Sequence, residues 1–220
     1  IIKYYFIIYM NILLLHFNSI KSHKIIEILK KLNCNVYDYD PYINYLTDKK
    51  IKIYKKCDAL IISGSNPKYD TIEIPELDNK SSFYMRIKRV IDLFTHKKIL
   101  GICYGSQILY KYFGGDCMYY KDIYGHTIGE HFKKILIKNT HEPIFKNVQK
   151  HHVFNFYRNI LLDPTNKPNN IKIISHDITN IKLKKNISGF KINNKIYGLI
   201  FHPESSFTCG YNILYNFINL

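Results

Sequence analysis

The chain has 220 residues, 46% of them hydrophobic, with 32 Lys and Arg against 17 Asp and Glu, for a formal net charge of +15. That length suits one α/β domain with a sizeable core, and the apolar fraction excludes a disordered or membrane-embedded chain. The charge invites a nucleic-acid reading. Against it, the lysines are scattered, and the densest runs are pairs such as Lys30-Lys31, Lys49-Lys50 and Lys184-Lys185. Overuse of Lys, Asn, Ile and Tyr along the whole chain looks like the bias of an AT-rich genome, so no nucleic-acid partner is expected. The five cysteines, Cys34, Cys57, Cys103, Cys117 and Cys209, are widely spaced with no C-x-x-C pair. They suggest neither a zinc knuckle nor a disulfide framework, and the expected setting is reducing and cytoplasmic.

Residues 1–9 are apolar except Lys3 and run into Met10. The stretch to Leu15 is shorter than the roughly 20 apolar residues of a membrane span, and it lacks a signal-peptide cleavage site. Residues 1–9 are therefore read as a non-native or upstream extension, with a weak membrane anchor as the competing reading, and 10–220 as a single domain with no membrane partner. Asn11 to His16 reads as a buried strand. Ser19 or Ser22 caps a helix whose apolar face holds Ile25, Ile26, Ile28, Leu29 and Leu32. Val36 to Tyr39 is a second strand, which makes a βαβ opening and predicts a parallel sheet. Residues 40–56 read as a loop and short helix. Cys57 to Ile62 is a third strand, entering the turn signal Ser63-Gly64-Ser65-Asn66-Pro67. Residues 66–80 read as a surface loop, and Ser81-Ser82 precede a helix from Phe83 to Phe94.

Ile99 to Ile102 is a short apolar strand that ends in Gly101-Ile102-Cys103-Tyr104-Gly105. A helical stretch, Gln107 to Phe113, follows and stops at Gly114-Gly115. Beyond it the pattern is mostly β, with candidate strands at Cys117–Tyr120, Lys133–Lys138, Val153–Phe156, Lys172–Ser175, Ser188–Ile192 and Ile196–Phe201. Asn193-Asn194 fits a hairpin turn. Pro164 to Asn170 is the expected mobile loop, and a terminal helix spans about Thr208 to Ile218. The predicted architecture is α/β: a mostly parallel central sheet with helices on both faces, a flavodoxin-like three-layer sandwich, plus a smaller antiparallel region.

Strand, sharp turn and helix around Gly-x-Cys-x-Gly are what a nucleophile elbow requires. A buried cysteine on an ordinary βα turn is the alternative. If the strands before Ser63, Cys103 and His202 are neighbours, their polar turns meet over one crevice at the carboxyl edge. Cys103 then has a candidate base in His202, and Glu204 can accept from the other ring nitrogen. Backbone N–H groups of Tyr104 and of the Ser63-Gly64-Ser65 loop can serve as oxyanion donors. His151-His152 and His126/His131 have no carboxylate or cysteine at ligand spacing, so no metal site is expected. Cys34, Cys57, Cys117 and Cys209 read as core fillers.

Leu60-Ile61-Ile62-Ser63-Gly64-Ser65, Ile99 to Gln107, and Tyr197-Gly198-Leu199-Ile200-Phe201-His202-Pro203-Glu204 resemble, in order and spacing, the three signature blocks of class I (triad-type) glutamine amidotransferases. Gly114-Gly115 and Tyr124-Gly125-His126 are weaker matches. The resemblance covers about Met10 to Leu220. It implies hydrolysis of the L-glutamine side-chain amide through a γ-glutamyl thioester on Cys103, with ammonia passed to a separate synthase and no cofactor. His202 would move protons and Glu204 would orient it. Gly64 and Tyr104 would form the oxyanion hole, and Gln107 and Ser65 would contact substrate. The chain departs from the family pattern in three places. Ser65 replaces a second glycine, Ile200 a glutamine, and Phe156-Tyr157 a Ser-His. A synthase-independent γ-glutamyl hydrolase or peptidase, or a non-catalytic regulatory relative, would share the fold.

Overall fold

A computed structural model describes residues 9–19, 21–65, 81–119, 128–158, 160–178 and 186–220. The predicted loop over 66–80, the Tyr124-Gly125-His126 match and nearly all of the 1–9 extension lie outside these residues. The chain begins with β1 (Met10–Phe17), α1 (Lys21–Lys31), β2 (Cys34–Tyr39), α2 (Asp48–Tyr54), β3 (Ala59–Ser65) and α3 (Ser82–Asp92). β4 (Lys98–Ile102) and α4 (Tyr104–Tyr112) form the elbow. Then come β5 (Cys117–Tyr119), β6 (Ile128–Ile137), β7 (His151–Arg158), β8 (Ile160–Leu162), β9 (Lys172–Asp177), β10 (Asn186–Lys191), β11 (Ile196–Leu199) and α5 (Phe207–Ile218).

The main sheet has the order β2-β1-β3-β4-β11-β10-β9-β6-β7 among the described residues. From β2 to β11 neighbours run parallel. From β11 to β7 they run antiparallel. This corrects the expected mostly parallel sheet with a smaller antiparallel region. The antiparallel strands continue the same sheet, which is mixed. The reason lies in the connections. Parallel neighbours need a crossover of a dozen or more residues, whereas 192–195 link β10 to β11 directly. The Asn193 side-chain oxygen closes that turn, accepting from Lys195 N and Ile196 N at 2.8 and 3.0 Å. β8, three residues long and unpredicted, pairs with β5 in a second small sheet.

The core follows from the apolar runs. Leu13 to Leu15 and Leu60 to Ile62 are fully buried, as strands covered on both faces must be. α1 buries Ile25 and Leu29 beneath its exposed lysines. Ser81 caps α3, accepting from Tyr84 N at 3.0 Å. Of the two candidate caps of α1, Ser19 precedes the helix and accepts from Lys21 N, while Ser22 is buried inside it. The 164–170 segment, expected to be mobile, is tied by Thr165 N to Asp163 Oδ1 at 2.7 Å and by Lys167 Nζ to Ile171 O at 2.8 Å. No helix among the described residues is long and apolar enough to cross a membrane.

One close approach decides where the elbow sits. A Cβ added at Gly105, in the first turn of α4, would lie 2.1 Å from the Ile62 carbonyl oxygen of β3. Both partners are backbone, so neither yields cheaply. Gly105→Ala is expected to cost about 1–3 kcal/mol, the usual cost of overpacking. Urea unfolding should show a lower midpoint with an unchanged slope. An unchanged midpoint would mean that β3 and α4 can separate freely.

Candidate active site

β3, β4 and β11 are adjacent and parallel, with Ile62 opposite Gly101 and Leu199 opposite Ile102. Their carboxyl ends therefore release Ser63-Gly64-Ser65, Cys103 and Ile200 to His202 at one edge. Cys103 stands between β4 and α4 with φ 51° and ψ −112°, in the left-handed half of backbone space that side chains disfavour. Its backbone is held from both sides. Cys103 N–H donates to Leu199 O at 2.7 Å, and Cys103 O accepts from Ser106 N and Ser106 Oγ at 3.0 and 2.6 Å.

His202 is 2% exposed. Its Nδ1–H donates to Glu204 Oε1 at 2.7 Å, across the short turn Pro203–Ser205. It also hydrogen-bonds the Cys103 side chain, which leaves Nε2 for the sulfur. The second Glu204 oxygen, Oε2, is buried with no hydrogen-bond partner among the described residues. Burial opposes the imidazolium form of His202. The facing charges of Cys103 and Glu204, with a hydrogen bond to each, outweigh it and raise the His202 pKa from 6.5 to about 10. Sulfur, imidazole and carboxylate thus stand in line, an arrangement suited to shuttling a proton beside a nucleophile.

Gly64 completes the cluster. A Cβ there would meet His202 Cε1 at 2.9 Å and Cys103 Cβ at 3.4 Å. The Gly64 backbone therefore lies against both residues. Ser63, which was not singled out as a site residue, sets this loop. Its hydroxyl donates to Gly64 O at 2.8 Å and accepts from Ser22 Oγ at 3.1 Å. Tyr104 is buried, with its ring edge-on to Phe17 at 5.0 Å. Ser65, half-buried, ends β3 opposite Phe17. Gln107 is 4% exposed, and its Nε2 donates to Ile160 O of β8 at 3.2 Å. All seven predicted residues thus occupy the strand-end region, with Gln107 turned toward β8.

Two of the positions that depart from the family pattern fall in the core. Ile200 is 1% exposed, and Phe156 is fully buried beside Phe201. The side chain of Tyr157 lies outside the described residues. Two further contacts escaped the sequence. Asn155 O accepts from His202 N at 2.9 Å, although β7 and β11 are separated by three strands in the sheet. The antiparallel half must curl back on itself to make this contact. His152, for which no metal role was expected, and Cys209, read as a core filler, also meet, Nδ1 to Sγ at 3.4 Å. No group of three or more His, Cys, Asp or Glu suited to a metal occurs among the described residues.

Glutamine amidotransferase class-I is the family that matches, over residues 13–220. The chain is 29% identical over 209 residues to a glutamine-hydrolyzing GMP synthase of Borrelia garinii subsp. bavariensis, covering 94% of this chain and 34% of that protein. It is 30% identical over 174 residues to a subunit of the glutamine-hydrolyzing GMP synthase of Methanococcus aeolicus, covering 74% of this chain and 85% of that one. The chain thus spans about a third of the length of the Borrelia relative and most of the Methanococcus one. In fold it is similar to a glutamine amido transferase of Methylobacillus flagellatus, with a TM-score of 0.70 at 10% identity, covering 96% and 95% of the two chains.

The raised His202 pKa makes stability depend on pH. A group held above its unfolded value contributes fully below that value and loses the contribution as pH rises through the folded one. Stability should therefore fall between pH 6.5 and about 10 through this residue. Glu204→Gln removes one of the facing charges and should flatten that fall. Urea unfolding across the interval checks it, and two parallel curves would contradict the assigned cause.

Proposed function

The chain belongs to the class-I glutamine amidotransferases, and from that premise we propose that residues 10–220 act as one glutaminase unit that releases ammonia for a synthase. The observation that carries this reading is His202, placed between Glu204 and Cys103 with the Gly64 backbone against it. Cys103 Sγ attacks the side-chain amide carbon of L-glutamine. The oxyanion faces the Tyr104 N–H and the Gly64 loop. His202 passes a proton to the amide nitrogen, the C–N bond breaks, and ammonia leaves a γ-glutamyl thioester on Cys103. Water then attacks the thioester while His202 takes its proton. The C–S bond breaks, and glutamate leaves. Glu204 keeps Nδ1 protonated so that Nε2 serves both steps. Gln107 and Ser65 contact the substrate.

The synthase is read from the relatives, which are GMP synthases or one of their subunits. We place the ammonia acceptor on a separate synthase partner. The five free cysteines suit a reducing compartment, and we place the protein in the cytoplasm. Ile200 and Phe156, apolar and buried where the family usually has glutamine and Ser-His, favour a second reading, a hydrolase of γ-glutamyl peptides that works without a synthase.

Ammonia release from glutamine tests the first reading. Cys103→Ala should lower it by roughly 10⁴-fold or more, as loss of a covalent nucleophile does. No release by the wild type at saturating glutamine, alone or with a candidate synthase, would sink it. Turnover of γ-glutamyl peptides in preference to glutamine would move the assignment to the second.

A further inference from the structure

The turn that carries His202 and Glu204 lies between two elements. On one side is β7, whose Asn155 O accepts from His202 N at 2.9 Å. On the other is the first turn of α5, which sits directly on the turn. A Cβ at Gly210 would lie 1.8 Å from Pro203 O, so only glycine lets the helix come this close. Ser206 joins the two segments. Its N–H donates to Pro203 O and its carbonyl accepts from Gly210 N, both at 2.9 Å.

One side chain ties β7 to α5 behind the turn. His152 is three residues before Asn155 on β7, so its strand is the one that holds the His202 backbone. Its Nδ1 is 3.4 Å from Cys209 Sγ, and its Nε2 is 3.4 Å from Ser206 Oγ. Ser206 is the N-cap residue of α5, yet its side chain makes no capping hydrogen bond. Its hydroxyl faces His152. The His152 ring also lies 4.6 Å from Phe154, which stacks at 4.2 Å on Phe201, the residue before His202. These contacts lead from His152 to Ser206, four residues after His202, and through Phe154 to Phe201, the residue before it.

We propose that His152 is a positioning residue: through Ser206 and Cys209 it clamps α5 to β7 and so keeps His202 and Glu204 in line with Cys103. The hydrogen-bond pattern selects one form of the ring. Cys209 donates from its thiol to Nδ1, and the Nε2–H donates to Ser206 Oγ. Burial favours this neutral pair, raising the Cys209 pKa and lowering that of His152. His152 bonds Cys209 and Ser206 rather than Cys103, so it acts through geometry alone. This rests on the glutaminase reading only for the name of the reaction. The alignment of Cys103 with His202 can be read without it.

The test compares the full chain with its His152→Ala, His152→Asn, Cys209→Ala and Cys209→Ser variants. Two readouts are taken: kcat and KM for glutamine, and the rate of Cys103 alkylation by iodoacetamide followed on the Cys103 peptide by mass spectrometry. His152→Ala should lower kcat by about 10- to 100-fold, the cost of a small misplacement, with KM within about twofold of wild type. Cys103 alkylation should slow as well. His152→Asn keeps an acceptor near the Nδ1 position and should recover part of both. Cys209→Ser keeps a donor to Nδ1 and should stay above Cys209→Ala in each. Wild-type kcat and alkylation in His152→Ala would overturn the proposal. So would losses that track the fall in melting temperature with no recovery in His152→Asn. If His152→Ala does not fold, the order of the two Cys209 variants decides. If the wild type releases no ammonia, the glutaminase reading fails, and unchanged Cys103 alkylation in the variants would still overturn the clamp.

Discussion

A cysteine held at φ 51° is the constraint on which the rest of this molecule depends. Such a conformation costs on the order of 1–3 kcal/mol for a residue with a side chain, and it persists only where the surroundings over-determine it. Here they do. Leu199 O on one side, and Ser106 N, Ser106 Oγ and Gln107 N on the other, take up both backbone groups of Cys103. Gly105 lets α4 descend onto β3 until backbone meets backbone. The helix therefore starts one residue after the sulfur, and Cys103 is left beside His202 rather than inside the helical ladder. The same packing brings the Gly64 loop within contact of both.

The mixed sheet explains why a histidine so distant in sequence completes this arrangement. β11 belongs to both halves, parallel to β4 on one side and antiparallel to β10 on the other. The parallel pairing aligns its carboxyl end with that of β4 and so delivers His202 to Cys103. The antiparallel half supplies the backing. It curls until β7, at the far edge of the strand order, bonds the His202 backbone through Asn155. A purely parallel sheet would present the same strand ends but would leave the His202 turn without support on that side.

Much of this was legible from local pattern. The continuous apolar runs at Leu13–Leu15 and Leu60–Ile62, the Gly-x-Cys-x-Gly turn and His202-Pro203-Glu204 each announce their place in the fold over a few residues. Most element bounds moved by one or two positions, but β6 starts five residues before the expected Lys133, α4 starts three before Gln107, and β3 runs three past Ile62. The wrong expectation concerned how strands combine. The early βαβ signal was extended to the whole sheet, while the short connections after Gly115 permitted hairpin pairing that no single strand reveals. β8 was missed because three residues carry no periodicity. Ser63–Ser22 and His152–Cys209 were missed for a different reason. Each joins residues more than 40 positions apart, and a lone serine or histidine in a lysine-rich chain gives no sign of its partner.

The departures from the family pattern leave Cys103, His202 and Glu204 unchanged. Where glutamine and Ser-His usually stand, Ile200 and Phe156 lie in a closed core beside Phe201. Burying such side chains is worth about 1.5–3 kcal/mol each, whereas an unpaired polar group in their place would cost a comparable amount. The backbone there still serves the site, since Ile200 N donates to Ser188 O and anchors the exit of β11. What these positions no longer offer is a polar side chain for a ligand. Gln107, for its part, commits its amide nitrogen to Ile160 O. The strand ends are held by the same contacts that keep Cys103 at φ 51°, so the rigidity of the elbow and of the Gly64 loop beside it go together.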